Sequence, residues 1–420
     1  MKILLIPNFS SQVDLKILKN LAKALSDRGH SCEVSLFPLC QNKNFPADGN
    51  SISQRFKKTE REIYKNLNID VLLEINRFRS NYLNKKIIHI NWVQDLPFSE
   101  KSKLSKTYPK SIIYTYGSPE FFGFTKTNFV GVHSLLSAYA ENENNESDLR
   151  KYDLNLLGYM SPLWEIARED DGYYPKSFSS NERDPLLLLA FKEIIQKPRT
   201  LFSLLCQDLP LNYSRFFATY EFEKLLKKIK EIYEPLSGFL DYQTKPENLG
   251  GFQKKLWNYL FVEYPRYKDR LILFNKIKEL PSNISKIVAG PNWKKYYPEF
   301  HYVGEYKDEV QIFEKSKITV HNNTHGLGLH PRIFECVACG SFPIMHGTPH
   351  RKEYGSLEEA LEPGRHFALY TKDNFQEVVQ YWIKNDEKRK KGVQEAQAIF
   401  SENHSWDKRA SQILEDIKNL

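Results

Sequence analysis

The chain has 420 residues, of which 41% are hydrophobic and 14% aromatic, so it holds enough apolar material for two cores rather than one. Sixty basic against 52 acidic residues give a net charge of +8, a modest bias that fits an anionic ligand or a membrane surface. No apolar window of about 20 residues predicts a membrane span, and no zinc finger, RNP-like pattern or basic helix indicates nucleic acid.

The five cysteines are scattered, and they are interpreted as reduced core thiols. Cys336 and Cys339 have C-x-x-C spacing, but they fall within one helix and no second pair exists for zinc. The apolar part of the N-terminus is too short for a signal peptide and reads as a buried first strand. We therefore expect a cytoplasmic protein, with peripheral contact at the inner face of the membrane left open.

The first part of the chain reads as a parallel α/β sheet. An apolar run at 3–6, leucines at helical spacing up to Leu25, a helix end at Gly29 and a strand at 30–38 form one β-α-β unit. Further strands are predicted at 69–76, 86–97, 111–117, 128–133 and 152–162, the last of which closes this sheet. The first loop lacks G-x-G-x-x-G, which argues against a typical dinucleotide dehydrogenase.

Polar side chains follow several of these strands, where ligands of parallel sheets bind. Asp95 is the leading candidate for an acid or base, and its plainer reading is a cap of the turn before Pro97. Glu74 ends an earlier strand. Trp92 is either a core residue or a platform for stacking, and the sequence does not separate the two. His89 alternates with apolar neighbours and is expected in the core.

Residues 166–265 lose strand character and read as mainly helical, so they are interpreted as an insertion between two sheets. A second sheet is then predicted. The sequence indicates a helix at 270–281, a strand at 284–293, a strand at 301–306, a helix at 308–317 and a strand at 317–323. A strand at 341–347, a helix at 374–386 and an amphipathic last helix follow.

The stretch 325–340 has the features of a ligand-binding strand–loop–helix unit. Gly326 and Gly328 allow the backbone to approach a ligand closely, and Pro331 suits the first helical position. Free amides at Leu329–Arg332, including that of His330, make an anion site at the helix start. Arg332 and Glu335 share a helix face and offer a guanidinium for a diphosphate and a carboxylate for ribose hydroxyls. Any α/β protein contains such units, so spacing alone leaves the question open.

The same stretch resembles GT-B glycosyltransferases, most closely the CgeB-like "glycosyl transferases group 1" branch. The pattern G-x-x-x-R-x-F-E-x-x-A-x-G is met by Gly328, Arg332, Phe334, Glu335, Ala338 and Gly340. Related retaining enzymes carry a glutamate eight positions before Glu335, where this chain has Leu327, and their glycine-rich first loop is also missing. The resemblance covers about 270–410 well and 1–165 more weakly.

The resemblance implies an α/β GT-B fold with two Rossmann-like domains facing a cleft. The expected divisions are an acceptor domain at 1–165, the helical insertion at 166–265, a nucleotide-sugar donor domain at 266–400, and a helix at 401–420 that crosses back. The expected activity is transfer of a hexosyl group from a nucleotide-diphosphate sugar, with a UDP-sugar favoured. The acceptor is a glycan, a lipid-linked sugar or a protein, as in bacterial glycan biosynthesis, and the oligomeric state is open.

The resemblance also assigns roles to candidate residues. Asp95 and His346 are the catalytic candidates, and Glu74 and Trp92 are assigned to the acceptor. The donor-binding candidates are Glu335, Arg332, Gly326, Gly328, Leu329, His330, Thr348, Gly290 and Arg270. Arg270 is the weaker phosphate candidate, its alternative being a solvated helix residue.

No metal or cofactor is expected, because the cluster of His321, His325, His330 and His346 lacks the spacing of a zinc site and GT-B transfer generally needs no divalent ion. Retention is favoured by the resemblance. Two alternatives stay open: a sugar-nucleotide epimerase or other GT-B chemistry such as a phosphorylase, and a degenerate non-catalytic nucleotide-binding or scaffold module.

Overall fold

A computed structural model describes residues 1–7, 12–35, 61–94, 110–117, 132–134, 139, 150–160, 264–305, 308–322, 329–347 and 356–420. These residues form two parallel sheets, each with helices against its faces. Within them, no helix is long and apolar enough to cross a membrane.

The first sheet has the strand order β2-β1-β3-β4-β5-β6, and every neighbouring pair is parallel. Its elements are β1 (Lys2–Ile6), α1 (Gln12–Ser26), β2 (Ser31–Val34), β3 (Val71–Ile75), β4 (Ile88–Val93), β5 (Ser111–Thr115) and β6 (Val132–Ser134). α1 forms because its leucines fall on one face, and Gly29 takes a φ of 85° just after the helix.

The second sheet has the order β12-β11-β10-β7-β8-β9 and is also parallel. Its strands are β7 (Tyr152–Leu157), β8 (Lys286–Ala289), β9 (Val303–Gly304), β10 (Ser316–His321), β11 (Phe342–His346) and β12 (Ala368–Tyr370). Its helices are α2 (Tyr264–Lys278), α3 (Trp293–Tyr296), α4 (Glu309–Glu314), α5 (Pro331–Ala338), α6 (Leu357–Ala360), α7 (Phe375–Lys384) and α8 (Asp386–Asn403). The last helix, α9 (Trp406–Lys418), packs on the first sheet.

Strand β7 corrects the predicted domain organisation. The sequence assigned it to the first sheet, but it lies in the second, between β10 and β8, with Leu154 opposite Ile318 and Lys286. Its residues are buried from Leu154 onward, and such a continuous buried run suits the centre of either sheet. The second sheet therefore begins at β7 in the chain, before the predicted boundary at residue 165. The predicted segment 166–265 lies almost entirely outside the described residues.

The second sheet has the Rossmann strand order 3-2-1-4-5-6 when its strands are counted along the chain, with β7 as the first and β10 as the fourth. The strand order reverses direction between β7 and β10. A ligand crevice is expected beyond the carboxyl ends of these two strands, because the connections leave the sheet in opposite directions there.

The last helix, α9, completes the core of the first domain. Trp406, Ala410, Ile413 and Ile417 pack with α1 and with the face of the sheet that carries Leu5 and Leu73. Arg28 holds Asp407 through two hydrogen bonds of 2.7 and 2.9 Å, and the Tyr114 hydroxyl donates to Asp416 at 2.7 Å. The chain thus returns to the first domain, as the amphipathic pattern and the resemblance predicted.

The junction between α8 and α9 predicts a pH effect on stability. Burial and then the charge of Arg409 lower the pKa of His404 to about 4 from 6.5, and Arg409 Nη2 donates to His404 Nδ1 at 2.9 Å. Below pH 6.5 the unfolded chain binds a proton at this site that the folded chain does not. The free energy of unfolding should therefore fall as the pH drops from 6.5 to 4, by about 2 kcal/mol after allowing for partial exposure.

A His404→Asn variant keeps a hydrogen-bond acceptor near the position of Nδ1 and cannot titrate. In urea unfolding at several pH values, the gap between wild type and this variant should change by that amount between pH 7 and 4. His301→Asn, at an exposed histidine, is the control. A gap independent of pH would show that the His404 imidazole is protonated equally well in both states.

Candidate functional site

The crevice between β7 and β10 is built around a glycine. Gly158 follows β7 directly and has a φ of 148°, a conformation that L side chains rarely adopt. A Cβ on this residue would lie 2.9 Å from Nη2 of Arg270 and 3.4 Å from Nη1 of Arg332. Two guanidinium groups from different helices, α2 and α5, therefore converge on the end of one strand, and glycine makes room for them.

The guanidinium of Arg270 stacks on an aromatic ring. Its guanidinium carbon lies 4.7 Å from the centroid of Tyr159, and Arg266 donates to the hydroxyl of the same ring. Arg270 is 7% exposed, so the sequence alternative of a solvated helix residue is wrong. A cation stacked on a ring and mostly removed from water is well placed to attract an anion.

Arg332 is oriented by Glu309 at the start of α4. Its Nε and Nη2 atoms donate to the two carboxylate oxygens at 3.3 and 3.2 Å, while Nη1 reaches the carbonyl of Leu157 at 3.5 Å. This paired geometry fixes the plane of the guanidinium and turns its Nη1 edge toward Gly158.

Three histidines line the crevice. Burial, followed by the charges of nearby basic groups, holds the pKa of His321 well below its usual value, and burial lowers the pKa of His346 although Asp269 opposes the shift. Both rings are therefore neutral near pH 7. Nε2 of His321 is buried and has no hydrogen-bond partner among the residues that the structure describes, and its ring lies 5.2 Å from that of His330. A buried unpaired ring nitrogen at this position is available to a ligand.

An acidic side chain, Asp269, also lies at the crevice. Asp269 on α2 is 1% exposed and accepts from Nδ2 of Asn322 at 3.2 Å, just beyond the end of β10. The Tyr370 hydroxyl donates to the carbonyl of His321 at 3.2 Å. These contacts hold the ends of β10 and β12 around the crevice. Across the described part of the chain, no group of three His, Cys, Asp or Glu side chains is arranged to hold a metal ion.

The start of α5 differs from the sequence prediction of open amides. The side chain of His330 caps the helix by accepting from the Arg332 amide at 3.2 Å, and the Ile333 amide donates to the His330 carbonyl at 2.8 Å. Histidine at the N-cap thus satisfies amides that the sequence left for an anion. The positive groups of the crevice are therefore the side chains of Arg270 and Arg332, not the amides of the helix start.

The rest of α5 forms as predicted. Phe334, Val337 and Ala338 are buried on one face, and Gly340 follows the helix with a φ of 73°. Glu335 lies on the other face, where it meets Lys16 of α1 at 2.7 Å. At the other side of the helix start, the Tyr116 hydroxyl donates to the carbonyl of Leu329. Among the described residues, Lys16 of the first domain thus contacts α5 itself, and Tyr116 contacts Leu329 just before it.

The catalytic candidate Asp95 lies outside the described residues, as do three predicted donor residues, Gly326, Gly328 and Thr348. Gly290 ends β8 with a φ of 134°, and its amide donates to the carbonyl of Gly304 at 3.3 Å. Gly290 therefore lies at the end of β8, which borders β7 on the side opposite to β10. Of the predicted residues, the structure therefore brings Arg270, Arg332, His330 and His346 together at the crevice. Glu335 lies on α5, three residues after Arg332.

The predicted acceptor residues are placed differently. Trp92 is fully buried in the core under α1 and α9, so of the two readings left open the structure supports the core. Glu74 is also fully buried, and it accepts from the Tyr64 hydroxyl at 2.5 Å and contacts His89 Nε2 at 3.0 Å. This burial does not fit the predicted direct contact of Glu74 with an acceptor. His89 lies in the interior, as expected.

Sequence reasoning missed several residues of the crevice. Gly158, Tyr159, Asp269, Glu309 and Lys16 were not proposed, although a glycine directly after a buried strand was a visible signal. Because β7 was assigned to the first sheet, its end was not expected to lie near α2 and α5. Lys16 and Glu309 gave no signal, because lysine and glutamate on helices are usually solvated.

Comparison with known proteins gives three findings. Residues 270–415 match the family described as glycosyl transferase-like. The chain is similar to the solved structures of Alr3699/HepE from Anabaena in complex with UDP-glucose, with UDP, and with UDP and glucose. The identity is 12% in each case, 100% of both chains is covered, and the TM-scores are 0.51, 0.50 and 0.50. A search of curated proteins finds no match. The structural likeness shows a shared two-domain fold.

Proposed function

Residues 270–415 form a glycosyl transferase-like domain within a GT-B fold, and from this premise we propose that the chain moves a sugar from a nucleotide-diphosphate sugar to an acceptor hydroxyl. The enzyme class and the fold predicted from the α5 motif are confirmed, and the CgeB-like branch is compatible with them. A UDP-sugar is the favoured donor, a choice supported by the UDP and UDP-glucose complexes of the Anabaena protein.

One observation carries the proposal: Arg270 and Arg332 converge on Gly158 at the point where the strand order reverses. The diphosphate would lie in this crevice, against both guanidinium groups and the unpaired nitrogen of His321. As the bond from the sugar's anomeric carbon to the phosphate oxygen breaks, the leaving diphosphate gains negative charge. Fixed positive groups stabilise that charge more than the ground state and so raise turnover.

The acceptor hydroxyl forms the new bond to the anomeric carbon and gives up its proton to a base. Asp95 is the sequence candidate for this acid/base role, and His346 lies at the end of β11 as a second candidate near the donor. We propose transfer without a metal ion, since two guanidinium groups take the place of a divalent cation at the diphosphate. We further propose that the sugar is transferred with retention of its anomeric configuration. The acceptor is a glycan, a lipid-linked sugar or a protein, and the protein is located in the cytoplasm of a bacterial cell.

Glu335 is proposed to accept both ribose hydroxyls of the donor. A thermal-shift screen against UDP, GDP, CDP, ADP and TDP tests this, because a ligand at about 100 times its dissociation constant adds about 2.7 kcal/mol of stability. We expect UDP to shift the wild type most. Glu335→Ala should weaken UDP binding by about 1–2 kcal/mol, since the hydroxyls lose a charged acceptor.

Glu305→Ala, at an exposed carboxylate in the same domain, is the control and should bind UDP as the wild type does. A folded Glu335→Ala protein with unchanged UDP affinity would contradict the ribose assignment. No shift with any of the five nucleotides would support the non-catalytic module instead.

A further inference from the structure

The two domains touch at the carboxylate proposed to hold the ribose. Nζ of Lys16, on α1 of the first domain, lies 2.7 Å from Oε1 of Glu335 on α5. The Lys16 side chain is 49% exposed and that of Glu335 is 28% exposed, so both remain in contact with solvent. No other ion pair among the described residues joins α1 to the second sheet's helices.

The contact uses only part of the carboxylate. Lys16 bonds Oε1, while Oε2 makes no hydrogen bond within the described part of the chain. An ionised carboxylate has about four acceptor positions on its two oxygens. A vicinal diol can therefore bind Glu335 while Lys16 stays in place.

We propose that Lys16 is a positioning residue of the donor site: it holds Glu335 in the orientation that accepts the ribose diol, so that a nucleoside diphosphate binds between both domains. This inference rests on the proposed function. Lys16 acts through Glu335, on the nucleoside end of the ligand. Arg270 and Arg332 act on the diphosphate end.

The electrostatics favour a charged lysine at this place. Burial works against the ammonium form, yet the attraction and hydrogen bond of Glu335 outweigh it and raise the pKa of Lys16. Lys16 therefore stays protonated over the whole working pH range, and its bond to Glu335 persists. A neutral side chain at this position would remove this restraint on the orientation of the Glu335 carboxylate.

If Lys16 blocked the site instead of positioning Glu335, its removal would change nucleotide affinity in the opposite direction. If Lys16 instead blocked the ribose position and had to leave, its removal would tighten nucleotide binding. Lys16→Met keeps the length of the aliphatic chain and removes the charge, so the sign of its effect on the dissociation constant separates positioning from blocking.

The test measures the dissociation constants of UDP and uridine by calorimetry. Lys16→Met should weaken both ligands by the same factor, about 3- to 5-fold, the range of a partly exposed ion pair. Lys16→Arg should restore most of the loss. Lys19→Met, at an exposed lysine of the same helix, should leave both constants unchanged. Unchanged or tighter binding by Lys16→Met, or a loss confined to UDP, would overturn the inference.

A double-mutant cycle separates this inference from the proposed function. In the Glu335→Ala background, Lys16→Met should have no further effect, because the residue through which it acts is gone. If Glu335→Ala itself leaves UDP binding unchanged, the ribose assignment fails. If Glu335→Ala weakens binding and Lys16→Met does not, only the role of Lys16 is wrong.

Discussion

Replacing Arg270 with glutamine should weaken UDP binding by about 2–3 kcal/mol, or roughly 30- to 150-fold, while uridine binding stays unchanged. The loss falls on the diphosphate because the Arg270 guanidinium lies at Gly158 together with that of Arg332, where the diphosphate is proposed to bind. Calorimetry with UDP and uridine on the same variant measures the difference directly. Arg270→Lys keeps the charge but loses the planar fork, so it should recover only part of the affinity.

The control for this change is Lys278→Gln, which removes an exposed basic residue from the end of the same helix, α2. It should bind UDP as the wild type does. Far-UV circular dichroism and the melting temperature of the ligand-free protein show whether Arg270→Gln is folded. Equal losses for UDP and uridine in a folded variant would mean that Arg270 supports the crevice as a whole and does not contact phosphate.

A second large effect is expected at Glu74, where Glu74→Ala should lower the free energy of unfolding by about 3 kcal/mol. The carboxylate is fully buried, and its removal takes away one hydrogen bond of the Tyr64 hydroxyl, the contact of His89 Nε2, and the acidic partner of Arg77 Nη1 at 4.0 Å. Urea unfolding followed by tryptophan fluorescence measures the loss. Glu62→Ala, at an exposed residue of the nearby helical segment 61–65, should change stability by less than about 0.5 kcal/mol.

Glu74→Gln distinguishes a structural role from the acceptor role expected from sequence. The amide keeps an acceptor oxygen for Tyr64, so much of the stability should return. A Glu74→Gln protein that is as stable as the wild type and transfers sugar normally supports the structural role. A stable variant with lost turnover at saturating donor would restore Glu74 as an acceptor residue.

Local patterns in the sequence predicted most of the elements, because helix period, apolar runs and glycine ends are local properties. α1, α5 and the strands around them lie within a few residues of their expected bounds. The sheet to which β7 belongs was not predictable in this way, since Leu154 pairs with residues more than 130 positions later. Assignment of that strand to the wrong sheet hid Gly158, and with it the centre of the crevice.

The candidate site was predicted in its residue types and only partly in its contacts. Arg332 was expected to face a diphosphate freely, whereas it is held by Glu309, a partner that no spacing rule indicates. His330 was expected to offer an amide and instead caps the helix with its ring. Both differences come from side chains that meet through tertiary packing, which a single sequence does not encode in any short pattern.

The position of α9 has a consequence for synthesis of the protein on the ribosome. The core of the first domain contains Trp406, Ala410 and Ile413, which are translated more than 250 residues after its last described strand, β6. The first domain cannot complete its core during its own translation, so the part of α1 that packs against α9 stays uncovered until residues 406–417 emerge. A nascent chain halted before residue 406 is therefore expected to need chaperone protection, even though all strands of its first sheet have been made.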